Sequence, residues 1–510
     1  MQTLGELIEY NAHYHGPREA YLFEGRRYTH AQYAERVRRL GAQLHAAGMR
    51  RGDRVAILAM NCQECWDLFG ACEWSGFIAV PVNFRLAAAE VDYILGDIEP
   101  KVVLVEPDLA HLAQAFREAN PDVTWVEVGE AGQLDHAEPF EAWLAAGDPA
   151  GPPMRGRAED LVYIFYTSGT TGRPKGAMIT QRAALAGGHI TANETELPKG
   201  GSWLVHSPQF HLGANGPRVA QALRAGRTVL HRSFVPEKAL QDIQDEKING
   251  TMTVGTMLQA VLDVAGNYDL SSVTAWMVAG APAPPELMRR AIAHFGKIFV
   301  IQYGMTEGRV AGLYRFEVDP DAGPEAVKRL RSVGRPAPET KVKICDEDGN
   351  ECPPGVPGEV VFLAPNLFSG YWNNSAATIE TLRDGWMHSG DVGVLDEDNF
   401  LYLIDRKKDM IISGGENIYS REVEDALHKH PNVIEAAVIG VPDEKWGEAV
   451  KAFILLAPGA VETEESIIEH ARTLIARYKC PKQVQFISEL PRVPNGKIDK
   501  KALRAVEETR

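Results

Sequence analysis

With 510 residues, 45% of them hydrophobic and 24% charged, the chain has the composition of a folded globular protein. That length gives core enough for roughly two to four domains. A formal net charge of −16, with no basic run longer than Arg406-Lys407-Lys408, excludes the concentrated basic face that nucleic acid requires.

The N-terminus, Met1-Gln2-Thr3-Leu4-Gly5-Glu6, has no basic segment and no long apolar one. Residues 452–461 are cut by Pro458 and Gly459, so no apolar stretch reaches bilayer length. A cytoplasmic protein without a transmembrane segment is expected. Over residues 4–100 helical patterns alternate with short apolar strands. Thr29 is placed to cap a helix that turns Tyr33, Val37, Leu40 and Leu44 inward. Residues 54–59, 78–82, 101–105 and 124–128 read as buried strands, and the alternation argues for a layered α/β body with parallel pairing. Three of the six cysteines, Cys62, Cys65 and Cys72, fall between the first two of these strands. Cys62-x-x-Cys65 is compatible with half a zinc site or a redox pair. However, Cys65, Leu68, Phe69 and Cys72 share one helix face, and no second pair completes a tetrahedral site, which favours core cysteines.

Residues 147–157 form a Pro- and Gly-rich loop, after which the apolar run 161–166 reads as a strand. It leads into Tyr166-Thr167-Ser168-Gly169-Thr170-Thr171-Gly172-Arg173-Pro174-Lys175-Gly176, and residues 177–179 lead out as a second strand. Glycines let backbone N–H groups converge on an anion; the four Thr and Ser hydroxyls add donors, and Lys175 adds a mobile point charge. The stretch reads as a polyphosphate cradle, the alternative being a Ser-, Thr- and Gly-rich surface loop that binds nothing. It is neither a Walker A loop, since Lys175 follows proline and Gly176 replaces the Ser or Thr, nor a G-x-G-x-x-G turn.

Beyond the cradle the alternation resumes, with strands at 203–206 and 228–230, a helix at 235–247 and a strand at 250–254. A strand over 273–279 breaks at Gly280-Ala281-Pro282, and one over 297–302 ends at Tyr303-Gly304-Met305-Thr306-Glu307. Ligands of such sheets collect at the carboxyl ends of strands, so both breaks are candidate site positions. From 331 to 404 the texture changes to short strands, at 341–345, 358–363, 393–395 and 400–404, which suggests a small β-barrel or distorted sheet. Past Arg406 a helix at 420–429, strands at 434–441 and 449–456, a helix at 463–476 and a last strand suggest a separate α+β domain. The expected domains are 1–405 and 406–510.

Ser389-Gly390-Asp391, Asp405-Arg406-Lys407-Lys408-Asp409 and Pro494-Asn495-Gly496-Lys497-Ile498 join the cradle and the Tyr303–Glu307 motif in one order. Together these stretches resemble the adenylate-forming superfamily, which comprises acyl-CoA synthetases, peptide-synthetase adenylation domains and beetle luciferases. The likeness covers essentially the whole chain. It implies a large N-terminal domain of two layered α/β subdomains plus a small β-barrel, and a smaller mobile α+β C-terminal domain. It also implies a two-step reaction. A carboxylate attacks the α-phosphate of ATP, and a thiol then displaces AMP from the acyl-adenylate.

Carried over by motif, Thr167, Ser168, Gly169, Thr170, Thr171, Gly172 and Lys175 hold the β- and γ-phosphates. Thr306 meets the α-phosphate, and Glu307 binds Mg2+. Asp391 accepts the ribose hydroxyls with help from Arg406, and Gly280, Ala281, Pro282 and Tyr303 enclose the adenine. Lys497 stabilises charge that develops during adenylation. Taken singly, Thr306 also reads as a helix N-cap with Glu307 as a first-turn acid, Asp391 as a turn residue and Lys497 as a solvated turn lysine. The resemblance makes Lys408 the hinge, and Gly414, Gly415 and Glu416 the lining of the pantetheine channel. Arg85 and Trp446 are candidates for the coenzyme A nucleotide or are structural. His211 gates the acyl site or is a satisfied core histidine, and Met257, Gly304 and Met305 line the acyl wall. Arg309 meets a polar substrate tail or, as arginines mostly do, turns outward.

The expected function is that of an ATP-dependent acyl-CoA ligase acting on a medium-chain fatty or aryl, cinnamate-like acid, with ATP, Mg2+ and coenzyme A. A stand-alone enzyme loading a carrier protein, a luciferase-like oxygenase and a non-catalytic nucleotide sensor are the rivals. The expected partners are small molecules and no nucleic acid, with a homodimer as the candidate assembly.

Overall fold

The computed structural model describes residues 1–129, 132–167, 173–266, 268–280, 283–406, 409–413, 416–443, 446–493 and 497–508, apart from the side chains of 416, 417 and 508. The chain forms two compact units. One comprises residues 1–342 and 362–387, the other residues 343–361 and 388–510.

The first unit is built on two large sheets. Strands Arg54–Leu58, Ile78–Pro81, Val102–Val105, Thr124–Glu127 and Leu161–Thr167 pair in parallel within a seven-stranded sheet whose edge strand, Lys175–Thr180, is antiparallel to Leu161–Thr167. Helix His30–Ala46 starts where the sequence places it. Thr29 Oγ1 accepts from the Gln32 N–H at 3.2 Å, while Gln32 Oε1 accepts from the Thr29 N–H at 2.9 Å. This closes a capping box that satisfies two orphan donors. Its Tyr33, Val37, Leu40 and Leu44 are buried. The cysteine helix, Gln63–Ser75, is buried along its whole length. Burial pushes the Cys62, Cys65 and Cys72 thiols well above their ordinary range, so they are inert core groups rather than a redox pair.

The second sheet has nine strands. Its parallel centre contains Ser202–Val205, Gly250–Thr253, Ala275–Val278 and Phe299–Met305, and its antiparallel edge includes Gly308–Leu313. Strand Phe299–Met305 runs three residues beyond its sequence boundary at 302, because Tyr303-Gly304-Met305 pairs with the next strand. Thr306 and Glu307 are therefore the turn of a β-hairpin, not the start of a helix.

In the second unit, strand Trp386–Leu395, most of which lies here, pairs with Leu401–Arg406, part of a five-stranded sheet that matches the small barrel expected from the sequence. Asp391 sits inside a strand opposite Arg406, so the turn reading of Asp391 does not hold. The C-terminal part packs helix Ser420–Leu427 against the long hairpin Val433–Asp443 and Gly447–Leu456 around Ile411, Val423, Val438 and Ile454. The helix expected over 463–476 ends at Arg472. A further helix, Lys500–Glu508, escapes the sequence reading because, among its described side chains, only Leu503 is buried.

Candidate active site

The cradle is the mouth of a β-hairpin. Strands Leu161–Thr167 and Lys175–Thr180 are antiparallel, and Thr167 pairs directly with Lys175. Val162, Tyr163, Ile164 and Phe165 are buried in succession, so the first strand is covered on both faces, and the antiparallel register brings Thr167 and Lys175 to the same end. Thr167 Oγ1 donates to Lys175 O at 3.4 Å. Ser168, Gly169, Thr170, Thr171 and Gly172 lie outside the described residues, as do Ala281, Pro282, Lys408, Gly414 and Gly415.

The carboxyl ends of the nine-stranded sheet gather the other predicted residues of this unit. Val278 is in register with Ile301, and Gly280 follows just past the end of strand Ala275–Val278, at the edge toward which Tyr303 continues strand Phe299–Met305. Gly280 has φ +86°, a conformation side chains rarely adopt, and a Cβ there would approach Val254 Cγ1 to 3.1 Å. Tyr303 is buried. Met257 lies half-buried on helix Gly255–Val264, which follows the adjacent strand at the same edge. Gly304 pairs with Arg309, and a Cβ there would come tightly, to 3.1 Å, against Arg309 Cα. Met305 and Thr306 are half-buried.

His211 is the N-cap of helix Leu212–Leu223, half-buried, with its ring 4.4 Å from Phe210. The core histidine of this stretch is His206 instead, 3% exposed. Arg218 on the His211 helix is ion-paired with buried Glu73, and its Nη2 donates at 2.9 Å to the hydroxyl of Tyr163, on the strand entering the cradle. This buried pair ties helix Leu212–Leu223 to the hairpin of Leu161–Thr167 and Lys175–Thr180. Arg85 is exposed, with its guanidinium 5.5 Å from the Phe84 ring and 5.9 Å from the Phe210 ring, one residue before His211.

Arg309 does not turn outward. Its Nη1 lies 2.5 Å from Glu194 Oε2, and Nη2 donates to Thr191 Oγ1 at 3.2 Å. Gln302 donates to the same carboxylate at 2.5 Å. The strand pairing puts Gly304, Gln302 and Arg309 on one face, where Glu194, at the end of helix Gln181–Glu194, neutralises the arginine.

Glu307 is buried and its Oε1 accepts a 2.6 Å hydrogen bond from the Tyr371 hydroxyl. Burial, and then the Glu307 charge, push the Tyr371 phenol up, which keeps it a donor. The Lys175 ammonium lies 5.4 Å from the centre of the same ring. Sequence reasoning missed Tyr371. Gly370-Tyr371-Trp372 lies in a loop between strand patterns, and its one signal is an aromatic pair after glycine. No group of three or more His, Cys, Asp or Glu side chains suited to a metal occurs among the described residues. A cation held by Glu307 would therefore draw most of its oxygens from phosphate and water, which suits magnesium.

In the second unit, Asp391 is 5% exposed, and its Oδ1 lies 2.7 Å from Arg406 Nε. Lys497 belongs to the same unit and feels both charges. Desolvation and Arg406 push its ammonium below the ordinary lysine range, and Asp391 opposes them. The buried Asp405 carboxylate accepts from Ser420 Oγ at 2.9 Å and from the Arg421 N–H at 3.3 Å, which anchors the helix that follows the expected hinge. Glu416 opens strand Glu416–Ile418, paired with Ile411–Ser413. Trp446 is exposed, with its backbone N–H on Asp443 Oδ1 at 2.9 Å.

These arrangements define an enzyme of the adenylate-forming class. The AMP-binding enzyme family matches residues 8–372, and the C-terminal domain of AMP-binding enzymes matches residues 422–497. The chain belongs to this family, close to its acyl-CoA ligases, and is an AMP-forming acid–thiol ligase of the acyl-CoA synthetase type. It is 38% identical over 487 residues to a feruloyl-CoA synthase of Amycolatopsis, covering 93% of each chain. It is 34% identical over 512 residues to the fatty acid–[acyl-carrier-protein] ligase ScoC of Streptomyces coeruleorubidus, covering 99% of this chain and 96% of the relative. The o-succinylbenzoate CoA synthetase MenE of Bacillus subtilis, solved with its acyl-adenylate intermediate, matches with a TM-score of 0.87 at 27% identity, covering 98% of this chain and 97% of that one. No helix among the described residues is long and apolar enough to cross a membrane.

Proposed function

We propose that the chain joins a medium-chain fatty or aryl, cinnamate-like carboxylic acid to coenzyme A, through an acyl-adenylate made from ATP. The observation that carries this reading is the convergence of Lys497, Asp391 and Arg406 in one unit. A carboxylate for the ribose hydroxyls thereby comes within electrostatic reach of a cation for the reacting oxygens. The sequence likeness to a feruloyl-CoA synthase supports an aryl acid, and the likeness to a fatty-acid ligase supports an acyl chain.

In this scheme Lys175 and the cradle hydroxyls bind the outer phosphates, and Thr306 donates to the α-phosphate. Asp391 accepts from the ribose, and Gly280 and Tyr303 bracket the adenine. Magnesium, when bound, offsets phosphate charge, with Glu307 as its protein ligand. The acid's oxygen forms a bond to the α-phosphorus as pyrophosphate departs, and Lys497 stabilises the charge that gathers on those oxygens. In the second step the thiol sulfur bonds to the acyl carbon and the carbon–oxygen bond to AMP breaks. Motion of the C-terminal domain about Lys408 would exchange Lys497 for Gly414, Gly415 and Glu416 at the site, with Arg85 and Trp446 toward the coenzyme A nucleotide. His211, Met257, Gly304 and Met305 shape the acyl pocket.

The test is a panel of benzoates, cinnamates and medium-chain fatty acids assayed for AMP release with and without coenzyme A. Coenzyme A-dependent AMP release with at least one of these acids is expected. Pyrophosphate exchange with transfer to a carrier protein, and none to coenzyme A, would overturn the acceptor. No exchange with any acid would overturn the reaction.

A further inference from the structure

Residues 368–372 take no part in the scheme above, yet they are bonded to both of its phosphate-side anchors. The Met178 N–H donates to Gly370 O at 3.0 Å, the Ser369 N–H to Met178 O at 2.8 Å and the Trp372 N–H to Gly176 O at 2.8 Å. This segment therefore lies along the strand that begins at Lys175. On its other side, the Phe368 N–H donates to Glu307 O at 2.8 Å. Tyr371 sits in the middle, 8% exposed, with its hydroxyl 2.6 Å from Glu307 Oε1 and its ring facing the Lys175 ammonium. One rigid side chain thus touches the acid and the base whose separation must match a magnesium triphosphate.

We propose that Tyr371 is a positioning residue for that triphosphate. Its hydroxyl holds one oxygen of Glu307, leaving the other to meet the cation, and its ring face keeps Lys175 directed at the phosphates. The chemistry of the partner matters. A lysine or arginine on Glu307 would neutralise the carboxylate, whereas a neutral hydroxyl orients it and leaves its charge for the metal. The ring attracts the ammonium through its quadrupole without competing for phosphate oxygens. Fixing Glu307 beforehand removes rotamer freedom that metal binding would otherwise have to restrict.

The inference rests on the proposed role of Glu307, so the test carries a control for that role. Calorimetric titration of ATP, with and without Mg2+, compares wild type, Glu307→Gln and Tyr371→Phe. Wild type is expected to bind ATP more tightly with Mg2+, and Glu307→Gln to lose that gain. Tyr371→Phe, which keeps the ring, is expected to lose about tenfold of the gain, the scale of one hydrogen bond to a charged group. Its affinity for metal-free ATP stays at the wild-type value, and the same preparation turns supplied acyl-AMP and coenzyme A into thioester at the wild-type rate. A full Mg2+ gain in Tyr371→Phe overturns the inference. So does equal weakening with and without Mg2+, or loss of thioester formation, because each marks a purely structural residue. If wild type shows no gain, or Glu307→Gln keeps it, the assignment of Glu307 falls first and this inference falls with it.

Discussion

Replacing Arg309 by methionine strips the partner from a carboxylate that the fold has removed from water. The Glu194 side chain is 1% exposed and that of Arg309 16%. Oε2 of Glu194 takes both the arginine and Gln302, while Oε1 has no partner among the described residues. A buried charge left uncompensated in this way costs about 3–5 kcal/mol. That is a large share of the roughly 5–15 kcal/mol that holds a native protein folded. Glu194→Gln should cost less, because its amide still accepts a hydrogen bond and the partly exposed guanidinium can reach water. In the double variant the two losses should not add, leaving a coupling of about 2 kcal/mol, as expected for residues in contact. Urea unfolding followed by the emission of the buried Trp66, Trp74, Trp203 and Trp276 reports on the first unit. If Arg309→Met costs less than about 1 kcal/mol, the value of an exposed pair, and the two single changes add, the pair does not hold the fold together. A raised KM for the acid with unchanged stability would show instead that the arginine faces substrate.

Other consequences follow from burial and charge. His206 is held down to about 3 by burial, against 6.5 unfolded, so its neutral form is native. Stability linked to this group is complete above pH 6.5 and is lost as pH falls toward 3, by about 1.4 kcal/mol per unit; His206→Leu should flatten the decline of melting temperature between pH 6.5 and 4. Lys497 is pushed below the ordinary lysine range of 10.5, so pyrophosphate exchange should fall on the alkaline side before an ordinary lysine titrates. Lys497→Arg should move that limb upward, and an unmoved limb would assign it to another group. Lys497→Ala should suppress exchange by about a hundredfold or more, the scale of one lost transition-state contact, while sparing thioester formation from supplied acyl-AMP; equal loss in both steps would refute a role confined to adenylation. Gly280→Val, with φ +86° and Val254 Cγ1 at 3.1 Å from the added carbon, should raise KM for ATP more than it alters KM for the acid.

The amino-acid order alone determined what local chemistry can specify. Thr29 and Gln32 make a capping box from residues three apart, and the apolar run that begins at Leu161 becomes a buried strand without the help of any special turn chemistry. The motifs around Glu307, Asp391 and Lys497 were legible for the same reason, since each is a short run whose residue types state their chemistry. Tertiary structure decided which distant groups meet. Arg309 turns inward because Glu194, 115 residues earlier, offers a buried carboxylate, and Thr306 belongs to a hairpin because the strand after it pairs backward. Tyr371 reaches Glu307 across 64 residues because its loop is bonded along the strand from Lys175. The physical reason is range. Backbone propensity and capping act over one or two turns of chain, whereas the charge, shape and register of a packed neighbour enter only once the chain has folded back on itself.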